Sequence, residues 1–142
     1  MTENRFEKQL LKLKNNGLYS DGIKTLQVNL GLLCNQACAH CQLEASPGRL
    51  EKMDLPPKQL VLETAKTRRC KLVDLTGGAP EMNPDFCRLV KELKTSGFTV
   101  QVRTNLSVLE EAGMEYMHEF FKAHRLRLVA SMPCYFEKNV DA

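Results

Sequence analysis

The 142-residue sequence lacks any apolar run approaching the roughly 18 residues that a membrane-spanning helix requires, so no membrane partner is expected. Its first residues, MTENRFEKQL, also lack the uninterrupted apolar core of a secretory signal. A cytoplasmic, reducing setting is the resulting expectation. Neither sign of charge dominates: 20 Lys and Arg against 17 Asp and Glu leave a formal charge of +3, too slight a bias to imply a nucleic-acid partner. Cysteine is present but sparse. Six in the chain is well below the roughly 8–10% of a small disulfide scaffold, so the cysteines call for another account. With 43% hydrophobic and 26% charged residues, the composition fits a folded domain rather than a disordered chain.

What is present alternates between two periods. Phe6, Leu10 and Leu13 recur at helical spacing in FEKQLLKLK, and Asn16-Gly17 and Asp21-Gly22 mark turns after it. TLQVNL then alternates Leu26, Val28 and Leu30 with Gln27 and Asn29, the pattern of a strand with two chemically different faces. Pro56-Pro57 can open a helix carrying Leu60, Val61 and Ala65. KLVDL is the second strand, and TGGAPEMNP after it is too rich in turn formers to continue one. Asn83-Pro84 reads as a helix cap followed by a first-turn proline, with Phe86, Leu89, Val90 and Leu93 as the buried stripe and Gly97 at the stop. FTVQV supplies a third strand, Glu110 to Ala123 a helix through Met114, Met117 and Phe121, and LRLVAS a fourth strand.

Four alternations favour parallel β/α units, because a parallel crossover needs a helix-length connection. Four units in 142 residues fall short of the about 250 residues of a closed eight-fold barrel. The expectation is an α/β fold, a partial (β/α) barrel of about four units with the remainder missing. Residues 1–23 are expected to form a helical extension and 24–142 the N-terminal part of the core domain.

The main chemical signal is Cys34-Asn-Gln-Ala-Cys38-Ala-His-Cys41, three thiols within eight residues directly after strand one. Loops at the C-terminal ends of such strands converge on one face, where ligands bind. Three soft ligands at this spacing suit an iron–sulfur cluster with one metal free of protein thiolate. Zinc is the rival, since Cys38 and Cys41 form a C-x2-C pair that His40, Cys70 or a partner chain could complete. Cys87 falls within a helix and Cys70 beside strand two, positions that suit core or boundary thiols, and Arg68, Arg69 and Lys71 flank a strand start and face solvent.

CNQACAHC matches the C-x3-C-x2-C signature of radical S-adenosylmethionine enzymes, TGGAPE resembles their glycine-rich methionine-binding motif, and TN after strand three resembles their third-strand loop. More narrowly, TLQVNLGLLCNQACAHC, EASPGR, VDLTGGAPEMNP, VRTNL and ASMPCYFEKNV resemble the arsenosugar-biosynthesis radical S-adenosylmethionine proteins, from about Thr25 onward. The resemblance implies that Cys34, Cys38 and Cys41 ligate a [4Fe-4S] cluster whose fourth iron is chelated by S-adenosyl-L-methionine. It further implies contacts to that cofactor from His40, Gly77, Gly78, Glu81, Arg103, Asn105 and Ser131. Absent side chains at Gly77 and Gly78 would let backbone approach the cofactor. The chain has Ala79 where many superfamily members place a glutamate, and Gln42 where arsenosugar-like proteins commonly have histidine.

The implied activity is transfer of the 5′-deoxyadenosyl group to a dimethylated trivalent arsenical, with an electron donor such as flavodoxin or ferredoxin as partner. Cys134, in MPCY, is a candidate contact for thiophilic arsenic. The competing expectations are a non-catalytic iron–sulfur or zinc-binding module and an inactive truncated fragment.

Overall fold

The computed structural model describes residues 5–10, 12 and 22–131. Its elements follow the order α1 (Arg5–Leu10), β1 (Thr25–Asn29), α2 (Leu55–Thr67), β2 (Leu72–Thr76), α3 (Phe86–Thr95), β3 (Thr99–Thr104), α4 (Met117–Ala123) and β4 (Arg127–Ala130), with short 3-10 turns at Pro80–Met82 and Ser107–Glu110. The strands form one sheet in the order β1-β2-β3-β4, every neighbour parallel. This is an α/β fold of alternating strands and helices, a partial (β/α) barrel.

Register explains why the sheet has two unlike faces. Val28 pairs with Leu75 and Leu75 with Val102, while Leu26 pairs with Val73 and Val73 with Val100. These rows join Val61 and Ala65 of α2, Phe86, Leu89, Val90 and Leu93 of α3, and Met117 and Phe121 of α4 in one hydrophobic core. Alternation sends the intervening residues to the other side. There Gln27, Asp74, Gln101 and Arg127 lie in one row across all four strands. Parallel sheets are usually apolar on both faces, so a polar row here marks a face that is not packed under helices.

Asp74 is 3% exposed and is satisfied by its neighbours. One carboxylate oxygen accepts from Gln101 Nε2 at 3.0 Å, and the other from Arg103 Nε at 2.9 Å and Gln27 Nε2 at 3.2 Å. Three donors, one of them cationic, offset the desolvation of a buried charge.

Several local expectations need correction. Leu60 is 61% exposed, because the buried side of α2 is set by Val61 and Ala65, one residue further round the helix. Phe6 is 55% exposed and so is not part of a buried stripe, and Leu13 lies outside the described residues. α3 begins at Phe86 behind Asp85, later than the expected first-turn Pro84; Asn83 Oδ1 accepts from Asp85 N at 3.0 Å in this lead-in, while its Nδ2 donates to the backbone of Leu30 and Met53. The helix expected over Glu110 to Ala123 is only Met117–Ala123. Gly113 takes φ +85, a left-handed geometry that ends helical continuity.

Candidate functional site

β1 delivers the cysteine segment to the C-terminal edge of the sheet, and backbone pairing holds it there. Leu30 N donates to Thr76 O at 2.8 Å, Gly78 N to Gly31 O at 2.9 Å and Ala79 N to Leu33 O at 2.9 Å. The loop leaving this edge is strapped at its base by Leu32 N to Glu51 O at 2.9 Å and Met53 N to Leu30 O at 3.0 Å. Asn83 Nδ2 closes the strap, donating to Leu30 O at 2.8 Å and to Met53 O at 3.2 Å. Further out, Arg49 grips Glu51 through Nε and Nη2 and also reaches Glu44 O, holding the exposed Glu51 carboxyl down at about 2.

The diglycine has a packing requirement within the chain itself. A Cβ on Gly78 would lie 2.2 Å from Leu33 O, and one on Gly77 would lie 2.6 Å from Gly31 O. The space these glycines leave open is therefore filled by the backbone that leads into Cys34. Gly31 completes the contact from the other side, since its Cβ would meet Glu51 O at 2.5 Å. Beside this junction lies an open cavity of about 410 Å³, lined by Leu30, Gly31, Leu33, Ala79, Met82 and Asn83 among others.

The three thiols are free, and their surroundings differ. Cys34 is buried, its backbone N–H bonded to Ser46 O at 3.2 Å. Burial pushes its thiol pKa up, with Cys38 and Cys41 near enough for their charges to add to the shift. Cys38 is exposed and has Gln36 Oε1 at 3.7 Å; half-buried Cys41 accepts from Ala45 N at 3.4 Å. His40 between them is exposed. Among the described residues no three Cys, His, Asp or Glu side chains converge tightly enough to hold a metal ion.

One of the polar residues expected at the site meets the cysteine loop directly. Asn105 Nδ2 donates to Cys34 Sγ at 3.6 Å and to Asn35 Oδ1 at 2.8 Å. Ser131 is exposed, and its backbone N–H continues the sheet by bonding Thr104 O at 3.0 Å. Arg103 Nε pairs with buried Asp74 on the polar face. Glu81 is 2% exposed, and neither carboxylate oxygen has a hydrogen-bond partner. Cys134 lies outside the described residues.

The family model described as the radical SAM superfamily matches residues 28–130, which spans the sheet, the cysteine loop and the diglycine. The chain belongs to the radical SAM superfamily. Curated relatives match shorter stretches. A "Probable GTP 3',8-cyclase" of Metallosphaera sedula is 35% identical over 82 residues, 56% of this chain and 25% of that protein. Another from Saccharolobus islandicus (strain L.S.2.15 / Lassen #1) is 32% identical over 93 residues, covering 63% and 29%. The "Putative peptide biosynthesis protein YydG" of Bacillus subtilis (strain 168) is 31% identical over 71 residues, covering 49% and 22%. The match thus spans less than a third of the length of each of these relatives. No helix among the described residues is long and apolar enough to cross a membrane.

In this radical SAM chain, the donor chemistry fits an iron–sulfur cluster. Three free thiols on one loop offer soft ligands at the ligand-bearing end of a parallel sheet. Cys34 is anchored by the sheet edge, whereas residues 36–40 are exposed.

Sequence reasoning passed over Gly31, Asn35, Asp74 and the tertiary role of Asn83. Gly31 and Asp74 each left a signal, a glycine directly after a strand pattern and a lone acid within LVDLT. Nothing in the sequence could pair Asn83 with residues 53 and 30 positions away.

Glu81 yields a pH-dependent expectation. Burial raises its carboxyl pKa. The folded chain then holds the proton to higher pH than the unfolded chain, so this group costs stability as pH rises from the ordinary carboxylate range through the raised value. Glu81→Gln is expected to stabilise the metal-free chain at neutral pH by about 1–3 kcal/mol and to lose that advantage in acid. Urea unfolding of both proteins across pH checks the sign; an advantage that persists unchanged below pH ~4 would rule out an ionised Glu81 as its source.

Proposed function

We propose that residues 24–142 form part of a radical S-adenosylmethionine enzyme core preceded by a helical extension over 1–23, and that the core adenosylates a dimethylated trivalent arsenical on the way to arsenosugars. Cys34, Cys38 and Cys41 would hold a [4Fe-4S] cluster, and His40, Gly77, Gly78, Glu81, Arg103, Asn105 and Ser131 would surround S-adenosyl-L-methionine. The observation that carries the reading is the C-x3-C-x2-C loop of free thiols locked to the diglycine at the strand ends, within a chain matched to the superfamily over residues 28–130. When bound, the reduced cluster and its cofactor supply a 5′-deoxyadenosyl radical, which the protein must shield from adventitious hydrogen donors.

The residues of this chain contribute positioning. The glycine junction holds Cys34 against β2, and Asn105 presents an N–H to its sulfur. The arsenical identity rests on the likeness of TLQVNLGLLCNQACAHC, EASPGR and ASMPCYFEKNV to arsenosugar-biosynthesis proteins; Cys134 is the proposed arsenical contact, and flavodoxin or ferredoxin the class of electron donor.

The test is anaerobic reconstitution followed by metal analysis and electron paramagnetic resonance. About four iron and four sulfide per chain, with a spectrum that changes when S-adenosylmethionine is added, are expected. One bound zinc and no sulfide would replace the enzyme reading with a zinc module. A loaded cluster indifferent to the nucleotide would leave an electron-transfer or structural iron–sulfur module. The arsenical is tested separately, by whether Cys134→Ser weakens binding of dimethylarsinous acid; unchanged binding removes Cys134 from the site.

A further inference from the structure

Asn35 and Asn105 lie in a chain of hydrogen bonds whose direction is set at both ends. At one end Asn35 Nδ2 donates to Glu111 Oε1 at 3.1 Å and to Ser107 Oγ at 3.0 Å. An ionised carboxylate can only accept, so Asn35 must turn its amide nitrogen toward Glu111 and its oxygen the other way. That oxygen receives Asn105 Nδ2 at 2.8 Å. At the far end the backbone N–H of Val108, which can only donate, bonds Asn105 Oδ1 at 3.1 Å. The turn that makes this possible is a strained one, with Leu106 at φ 63. Both ends demand the same arrangement, and it leaves Asn105 Nδ2 with one further hydrogen, which meets Cys34 Sγ at 3.6 Å. Flipping either amide would set oxygen against oxygen at Asn35–Glu111 or N–H against N–H at Asn105–Val108.

We propose that Asn35 and Glu111 are positioning residues: they orient the Asn105 amide so that it donates an N–H to the Cys34 sulfur, and through that bond raise the reduction potential of a cluster held by Cys34. The inference rests on the reading of Cys34 as a cluster ligand. Reduction adds negative charge that spreads onto the ligand sulfurs, and a donor aimed at one of them favours the reduced state. Glu111 reaches neither cluster nor cofactor; it acts through Asn35.

Two measurements on the full chain separate this inference from the proposed function. In metal-free protein, the side-chain amide resonances of Asn105 are expected to shift and exchange faster in Asn35→Ala and in Glu111→Ala, and to stay at the parent positions in Glu111→Gln, whose side-chain oxygen still accepts. Amide signals of Asn105 indifferent to both alanine variants would overturn the relay, whatever metal the protein binds. In anaerobically loaded protein, redox titration followed by paramagnetic resonance is expected to give more negative midpoints in the order Asn105→Asp, then Asn35→Ala, then Glu111→Ala, with Glu111→Gln at the parent value. Asn105→Asp keeps an acceptor for Val108, so a mere loss of loop folding would not produce that order. Equal midpoints in proteins that all hold a full cluster would overturn the tuning while leaving the cluster reading intact. A parent protein that takes up no cluster would remove the proposed function and the tuning together, and the amide measurement would then decide the relay by itself.

Discussion

Cys38→Ser is expected to bring the iron bound after anaerobic reconstitution from about four per chain to below about one, with thermal stability of the metal-free chain unchanged. The two halves of this expectation have separate causes. Cys38 is exposed and touches little beyond the Gln36 side chain at 3.7 Å, so exchanging sulfur for oxygen removes no packing. A neutral hydroxyl is a poor ligand for cluster iron, where soft thiolate is needed. Cys87→Ser serves as the comparison. Its thiol lies 4.0 Å from the Tyr116 hydroxyl on the α3–α4 side, away from the motif, so full iron loading is expected to persist. Iron retained at the parent level by Cys38→Ser would remove Cys38 from the ligand set.

Gly78→Ala is expected to destabilise the metal-free chain by about 2–4 kcal/mol, the upper range for a residue forced into occupied space. The obstacle is Leu33 O at 2.2 Å, with Leu33 C at 2.7 Å. Both are backbone atoms of the segment that carries Cys34, so no side-chain rotation can relieve the clash. Relief means separating the diglycine loop from the cysteine loop, breaking Gly78 N to Gly31 O and Ala79 N to Leu33 O. Gly97→Ala makes the contrast. Gly97 has φ +86 but nothing within 4 Å of an added Cβ, so only the left-handed backbone penalty of about 1 kcal/mol applies. Denaturant midpoints for the two variants measure the difference, and equal losses would mean that the junction is not tightly closed.

The architecture was legible wherever one local pattern was unopposed. Val28, Val100 and Val102 alternate cleanly, and α3 shows Phe86, Leu89, Val90 and Leu93 on one face; both readings match the folded chain. Reading fell short where a residue had a long-range use beside its local one. Asn83-Pro84 has the local chemistry of a helix start, and Asn83 Oδ1 does accept from Asp85 N ahead of α3, but its Nδ2 also ties the carbonyls of Leu30 and Met53, a use that no local pattern records. Arg103 closes strand three, and its Nε pairs with the buried Asp74 charge two strand positions deeper, a partner that only the register of the sheet reveals. Gly113 falls inside the helix expected from Glu110 to Ala123, and its positive φ separates a 3-10 turn from a shorter helix.

From the one-dimensional chain come the strand and helix alternation, the polar and apolar strand faces, and the spacing of three thiols, because each depends on neighbours within a few residues. Tertiary structure alone decides that the diglycine is needed by the cysteine loop's own backbone, that Glu81 is buried without a hydrogen-bond partner, and that the Asn105 amide just after β3 faces the Cys34 sulfur. Those facts arise from contacts between segments tens of residues apart. Side-chain periodicity carries no record of which carbonyl or amide a distant loop will present, since that follows from the register in which parallel strands align.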